Sequence, residues 1–452
     1  MTDLEIAKEI AKEVEKAGGR TYYVGGYVRD EILHKINKDI DIEVYNITPE
    51  KLKSICSKFG PVDEVGVSFG VLKIHGYNLD IAMPRSEKKS GIGHKAFEVE
   101  VNPYMNVRTA AMRRDFTMNA IMKDVLSGEF IDSFSGIEDM KNHEIKHICD
   151  DTFIEDPLRV FRAAQFASRF NFHINEDTFN LCKKINVSSL PKERIFEETN
   201  KALLKADRPS IYFQELRRMN HLKEFFKELE DLIGVQQNPE KHPEGDVWNH
   251  TMQVLDNAAK VRDKSENKLA FMYAALLHDI GKPKVTTFEN GKWRSLKHEI
   301  EGIDVAKEAL MRITNDKKLI LYVQNMVQLH MKPHSITKVS AKKSINKILD
   351  KTISKNDLIL LSMCDKQNRR ELVPDYLEFW NKKIKEYELL MLEPEVNGKD
   401  LMNLGYKPGP LFSKVIEKCH DIHLAGFSKE TILKSLPNII EGVEIKNGLC
   451  NK

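Results

Sequence analysis

The sequence predicts an α+β chain: a mixed strand-and-helix N-terminal domain, then helical segments and a short C-terminal tail. Three observations support this. Residues 39–44 read Asp-Ile-Asp-Ile-Glu-Val, a strict alternation that suits a half-buried strand. Helical spacing of apolar residues dominates from residue 143 onward. A length of 452 residues exceeds one ordinary core and suggests about three domains.

Composition narrows the class without assigning a function. Hydrophobic residues make up 41% and charged residues 31%, as in soluble globular chains. No apolar run approaches the roughly 20 residues of a membrane helix, so no membrane association is expected. The six cysteines (Cys56, Cys149, Cys182, Cys364, Cys419 and Cys450) form no C-x-x-C pair, which suits free thiols in a reducing cytoplasm. A net charge of +2 requires any nucleic-acid surface to be a local patch. Oligomeric state is not readable from these numbers.

The elements follow in order. Leu4, Ala7, Ile10, Ala11 and Val14 form one helical face rather than a signal peptide, and Gly18-Gly19 stops it. Tyr22–Val24 is a short strand ending at Gly25-Gly26. Val71–Ile74 and Asn78–Ala82 read as a hairpin around Gly76. Residues 84–106, with Arg85, Lys88, Lys89, His94, Lys95 and Glu98, read as a flexible loop. Residues 236–246 form a linker rich in Pro, Gly and polar side chains. The expected division is 1–142, 143–235, 236–390 and 391–452.

The densest chemistry lies at 25–44. Gly25-Gly26 after a strand lets backbone N–H groups approach phosphate oxygens, and Arg29 adds positive charge. Asp39 and Asp41, two apart on a strand, point to one face and suit two Mg²⁺ ions for phosphoryl transfer. Glu43 shares that face, and Asp80 stands on a nearby strand. A bare D-x-D is usually a solvated strand face; the upstream G-G-x-V-R-D argues otherwise here.

Two further segments suit nucleotide recognition. In 113–120, Arg-Arg-Asp-Phe-Thr-Met-Asn-Ala, Arg114 can pair with phosphate oxygens, and Asp115 and Asn119 with a ribose. In 155–162, Glu-Asp-Pro-Leu-Arg-Val-Phe-Arg, Asp156 is an N-cap and Pro157 opens the helix. Asp156, Arg159 and Arg162 then share a face roughly, by helical spacing. An Asp acceptor beside an Arg donor complements the amine and ring-nitrogen acceptor of both cytosine and adenine. Guanine and uracil present the opposite polarity and would leave both groups mispaired. Alone, that motif is better explained by an N-capped helix with an ordinary i,i+3 charge pair.

Together these stretches resemble the class II tRNA nucleotidyltransferases (CCA-adding enzymes) and their bacterial poly(A) polymerase relatives. The resemblance implies a nucleotidyltransferase head with a five-stranded sheet, a helical neck, tRNA as partner and CTP and ATP as substrates. It assigns metal binding to Asp39 and Asp41, nucleotide binding to Gly26 and Arg29, and the templating pair to Asp156 and Arg159. Many family members carry another Arg where this chain has Gln165. Lys-Glu-Arg at 192–194 resembles a Glu-Arg motif that braces the base-reading residues, and reads equally as a surface ion pair. CC-adding, A-adding and poly(A)-adding enzymes share the pattern.

A third constellation occupies 247–370. His250, the His278-Asp279 pair closing an apolar helix, and Asp365 supply nitrogen and oxygen ligands for a divalent metal. His298 and His330 offer ligands for a second. This segment looks like an HD-type phosphohydrolase domain, implying metal-activated water, with Mg²⁺, Ni²⁺, Mn²⁺ or Fe²⁺ as the ion. His242, His334 and His420 read as structural or surface histidines. In a competing reading the HD segment is the working enzyme and the head only binds RNA.

Overall fold

The computed structural model describes residues 1–37, 39–65, 71–89, 97–366 and 374–446. The chain divides into two compact units, Met1–Glu224 and Phe225–Lys452.

The first unit opens with α1 (Asp3–Lys16), closed by a capping box between Thr2 and Glu5. Ile6, Ala7, Ile10, Ala11 and Val14 are buried. Leu4, expected on that face, is 41% exposed, because the apolar stripe is centred between Ile6 and Ala11 and Leu4 falls at its edge. Next come β1 (Arg20–Val24), α2 (Gly26–Ile32), β2 (Ile40–Tyr45), α3 (Pro49–Cys56), β3 (Val62–Val65), β4 (Val71–Ile74) and β5 (Leu79–Ala82). After these lie β6 (Arg85–Lys89), β7 (Phe97–Val101), α4 (Val107–Met112), β8 (Met122–Asp124) and β9 (Phe130–Ile131).

The sheet runs β3-β4-β5-β2-β1-β8-β9. Each neighbouring pair is antiparallel except β2 with β5, which is parallel. The expected five-stranded sheet is thus extended by one short strand at each edge. Val62-Asp-Glu-Val65 carries charges where a strand pattern calls for apolar residues, and Phe130–Ile131 is too short to show alternation.

The segment 84–106 is corrected in part. Its flanks pair as β6 and β7 in a two-stranded antiparallel ribbon, from Arg85 opposite Val101 to Lys89 opposite Phe97. Arg-Ser-Glu-Lys-Lys offers no apolar alternation, so β6 left no signal, whereas the alternation of Phe97-Glu-Val-Glu-Val101 was readable as a strand. His94 and Lys95 lie outside the described residues.

Helices complete the unit: α5 (Gly136–Lys141), α6 (Asp150–Ile154), α7 (Leu158–Phe170), α8 (Glu176–Lys184), α9 (Lys192–Lys205) and α10 (Ser210–Arg218). One face of α7 buries Val160, Phe161, Ala164 and Ala167, while Arg159, Arg162 and Phe166 on the other line a cavity.

The second unit is helical apart from one hairpin. After α11 (Leu222–Glu230), which spans the boundary between the units, come α12 (Val247–Val261), α13 (Lys268–Leu277), α14 (Lys282–Val285), α15 (His298–Met311), α16 (Lys317–Leu329), α17 (Lys342–Lys351) and α18 (Lys355–Lys366). The strands β10 (Glu144–Ile145) and β11 (His173–Ile174) pair in the first unit, and β12 (Thr286–Glu289) and β13 (Lys292–Ser295) pair in the second. Nearer the C-terminus, Asn397 caps a short helix, Gly398–Asn403, through a capping box with Asp400.

Candidate functional sites

In the first unit, the predicted head and neck residues converge on one cavity of about 540 Å³. Gly25, Gly26, Arg29, Arg114, Asp115, Asn119, Asp156, Arg159 and Arg162 all line it. So do Arg85, Arg113, Arg169, Lys201 and Lys205, which the motifs alone did not assign, and Arg194, from the Lys-Glu-Arg stretch that resembles a bracing motif. Two carboxylates among so many cations make the cavity strongly electropositive, as a triphosphate requires.

Its back wall is a buried polar network. Arg29, 4% exposed, donates to Asp30 Oδ1 and, at 2.7 Å, to Asn119 Oδ1. Asn119 Nδ2 donates to Asp115 Oδ1 at 2.8 Å, and Asp115 Oδ2 takes Arg162 at 2.6 Å. Burial opposes the charge on Asp115, but Arg162 and Asn119 together hold its carboxyl below the usual range. The Arg29 guanidinium also packs 5.2 Å from Phe166 and 4.9 Å from Phe170. So Arg29, Asn119, Asp115 and Arg162 orient one another behind the cavity.

Asp156 stands beside the start of α7, which begins at Leu158, and accepts the Leu158 N–H at 3.1 Å as an N-cap would. Arg194 also forks onto both its carboxylate oxygens. Arg159 is pinned by the carbonyls of Thr152 and Arg113, each at 2.6 Å, leaving further N–H donors for the cavity. Gln165 lines the same cavity at 1% exposure, and its Nε2 has no hydrogen-bond partner among the described residues.

Asp41 and Asp80 sit on adjacent strands, but Asp39, expected on the strand with Asp41, does not. Strand β2 begins at Ile40, so Asp39 precedes it by one residue. Asn78 Nδ2 donates to Asp39 Oδ1 at 3.0 Å. Asp41 lies directly opposite Asp80 across the parallel β2–β5 ladder. Burial first, then Asp80, push the Asp41 carboxyl up to about 6, against the pull of Arg114. A crowded carboxylate group of this kind fits hard divalent cations. Glu43 is different: 1% exposed, it is held by Arg113 at 3.3 Å and Arg114 at 3.1 Å, which commits it to orienting those arginines. Gly25 has φ +66°, and a Cβ there would meet Arg114 NH1 at 3.3 Å, so glycine lets the turn sit against that side chain.

In the second unit, all six predicted ligands meet. Asp279 is the centre. Its Oδ2 lies 3.2 Å from His278 Nε2 and 3.5 Å from His250 Nε2; its Oδ1 lies 3.1 Å from His298 Nε2 and 3.7 Å from His330 Nε2. Asp365 Oδ1 is 3.0 Å from His250 Nε2. In each histidine the other ring nitrogen faces an acceptor: Glu244 Oε1 for His250, and the carbonyls of Ala275, Ser295 and Val327 for His278, His298 and His330. That arrangement turns the Nε2 lone pairs inward. The Nε2 atoms stand 3.4 Å apart in His250–His278 and 3.2 Å apart in His298–His330. Nitrogen ligands ~2.1 Å from one metal stand roughly that far from each other. The donor set therefore fits divalent metal, with Asp279 shared between two groups.

The backbone explains the convergence. A Cβ on Gly281 would stand 2.2 Å from the His298 carbonyl oxygen and 2.5 Å from Gly302 N. Only glycine lets the His278–Gly281 turn lie against α15. Burial acts first on the charges: it pulls His330 down to about 4. It opposes the charged form of His250 too, but Asp365 and Glu244 raise that ring to about 9.

Motif reasoning missed several partners. Glu244 receives both His242 and His250, at 3.0 and 2.6 Å. His334, read as structural or surface, binds Asp365 Oδ2 at 2.7 Å. Lys282 places Nζ 2.6 Å from Asp279 Oδ2. Only Lys282 had a usable signal, following His-Asp-Ile-Gly directly.

Comparisons with known proteins find relatives of the whole fold and of three of its segments. Residues 21–146 match the family model of the poly A polymerase head domain, 171–233 the probable RNA and SrmB-binding site of polymerase A, and 247–366 the HD domain. A multifunctional CCA protein of Mannheimia succiniciproducens is 37% identical over 324 residues, 70% of this chain and 74% of the relative. One from Pseudoalteromonas atlantica is 32% identical over 420 residues, 88% of this chain and 97% of the relative. Among solved structures, an apo CCA-adding enzyme aligns over 96% of this chain and 93% of its own at TM-score 0.65 and 21% identity. The Thermotoga maritima CCA-adding enzyme complexed with tRNA aligns over 96% and 94% at TM-score 0.62 and 20% identity, a likeness of fold.

Proposed function

The chain belongs to the multifunctional CCA protein family of tRNA nucleotidyltransferases, and on that premise we propose how its own residues add CMP, CMP and AMP to a tRNA 3′ end from CTP and ATP. The observation that carries this reading is the placing of Asp156 and Arg159 in the electropositive cavity, each held fast from behind. A fixed acceptor beside a fixed donor selects C and A without a nucleic-acid template, because the wrong base leaves both unpaired. Arg114 and the neighbouring cations neutralise the triphosphate. Arg29, Asn119, Asp115 and Arg162 hold the wall against which the nucleotide is positioned.

Asp39 and Asp41 are the proposed ligands of Mg²⁺, with Asp80 opposite Asp41. Bound there, divalent metal supplies charge for the attacking 3′-hydroxyl and the departing pyrophosphate. The hydroxyl oxygen bonds the α-phosphorus in line as the bond to pyrophosphate breaks. Asp39→Ala tests the assignment: nucleotide addition is expected to disappear while folding is kept, and surviving addition would remove Asp39 from the mechanism.

For the second unit, the Asp279-centred group supports a metal-dependent phosphohydrolase on His250, His278, Asp279 and Asp365, with His298 and His330 serving a second ion. Mg²⁺, Ni²⁺, Mn²⁺ and Fe²⁺ are the candidate ions for this nitrogen-and-oxygen set. The chain is divided functionally into a head (1–142), neck (143–235), HD domain (236–390) and tail (391–452), a reading supported by the ranges of the family matches. No helix among the described residues is long and apolar enough to cross a membrane. The work of maturing tRNA and the free thiols fit a cytoplasmic protein.

A further inference from the structure

A second cavity, of about 500 Å³, opens beside the Asp279-centred group. His298 and Lys282 form its inner end, and Lys282 Nζ bridges Asp279 Oδ2 and Gln237 Oε1 at 2.6 Å each. Its outer wall is strand β13 of the β12–β13 hairpin, which Asn290-Gly291 closes with φ of +52° and +75°. This ribbon pairs with no other described strand, so packing of a sheet does not account for its side chains.

Those side chains have a recognisable chemistry. Trp293 lines the cavity, half-buried, opposite Phe288 with ring centroids 4.9 Å apart. Phe288 is 59% exposed. Lys241, Lys292 and Arg294 supply cations along the same lining; Glu240 also lines it, 3.7 Å from Lys292 Nζ, and leaves the lining net positive. An aromatic face amid cations, a few side chains from a phosphoester-cleaving centre, suits a base and a phosphate held together. A bare phosphoester would need the cations and have no use for the indole.

We propose that the β12–β13 hairpin is the base-recognition wall of the phosphohydrolase site, with Trp293 stacking on the nucleobase of a nucleoside phosphoester. This rests on the phosphohydrolase reading of the Asp279 group and names the part of the substrate that reading leaves open. Trp293 is a specificity-determining residue in this scheme. The ligand is either a free nucleotide or the last nucleotide of an RNA strand; both present the same base and phosphate.

The test uses the full chain in Mn²⁺ with three probes: adenosine 3′-monophosphate, a single-stranded pentanucleotide ending in a 3′-phosphate, and β-glycerophosphate, which has no base. Trp293→Ala is expected to raise KM for both nucleotide probes about tenfold or more while leaving kcat and the β-glycerophosphate KM unchanged. Trp293→Phe is expected to restore most of the affinity. A lower parental KM for the pentanucleotide than for the mononucleotide assigns an RNA end, and equal values a free nucleotide. Equal effects of Trp293→Ala on all three probes, or no effect on any, would overturn the proposal. Binding gives an independent readout. Of the three tryptophans, Trp248 and Trp380 are 2% and 1% exposed, so a quench of fluorescence by adenosine 3′-monophosphate reports Trp293. Quench in the parent, absent with β-glycerophosphate and absent in Trp293→Phe, is expected; no quench in the parent overturns the stacking wall. If no probe is hydrolysed with any of the four candidate metals, the phosphohydrolase reading fails, and the fluorescence titration still decides the base wall.

Discussion

Arg194 forks onto Asp156, its two terminal nitrogens 3.2 and 2.9 Å from the two carboxylate oxygens. The pair ties α9 to the start of α7 and fixes the acceptor that reads the base. Removing the fork frees that carboxylate to rotate. Arg194→Ala is expected to lower kcat/KM for CTP and ATP about tenfold to a hundredfold and to admit UTP and GTP more readily. Arg194→Lys recovers only part, because an ammonium cannot bridge both oxygens. Steady-state kinetics with the four nucleotides decides it; unchanged selectivity would make the pair a surface tether.

The wall behind the nucleotide cavity stands on Asp115. Asp115→Ala leaves Arg162 and Asn119 without their buried partner. A loss of about 3–5 kcal/mol in unfolding free energy is expected, measured by urea denaturation. A loss under about 1 kcal/mol would show that water replaces the carboxylate easily.

His420 offers a pH-dependent staple in the second unit. Its ring meets Glu395 at 2.6 Å and Asp350 at 3.3 Å. Burial lowers its affinity for a proton, but the two carboxylates more than offset this and raise its pKa above 6.5. A folded pKa above the unfolded value means the stabilisation is complete below about pH 6.5 and fades as pH rises through the folded value. His420→Gln is therefore expected to destabilise the chain at pH 6 and to match the parent at high pH. Melting curves across that range test it; a constant difference at every pH would leave the ring's charge without a role.

Asp279 faces two histidine pairs with separate oxygens, so its loss and the loss of one pair should differ. His298→Ala is expected to halve the metal bound by the second unit, and Asp279→Asn to remove nearly all of it. His278→Ala should abolish phosphohydrolase activity and leave nucleotide addition intact. Metal analysis of the purified variants is the check. Equal metal content in Asp279→Asn and the parent would contradict a shared carboxylate.

Motif residues were legible because their chemistry constrains spacing: Asp39 and Asp41 two apart, Asp156 and Arg159 three apart, His278 and Asp279 adjacent. Partners that meet through tertiary folding left little trace. Glu244 reaches His250 from the end of a linker, and His334 reaches Asp365 across 31 positions. Glu43 shows the limit most clearly: it shares a strand face with Asp41, yet Arg113 and Arg114 draw it into a buried pair. Strand periodicity gives the face; only packing says which carboxylate stays open. Of the β6–β7 ribbon only β6 was hidden: Arg85–Lys89 has no apolar face, whereas Phe97-Glu-Val-Glu-Val101 alternates strictly and was legible as a strand.

The central claim is the nucleotide sequence that the first unit adds. A tRNA lacking its CCA end, incubated with CTP alone, ATP alone and both, tests it directly by sequencing the extended 3′ ends. The account predicts two C residues with CTP alone and a completed C-C-A with both. Arrest after C-C with both present, or ATP incorporated and CTP never, would contradict it and assign the chain to the CC-adding, A-adding or poly(A)-adding branch of the same fold.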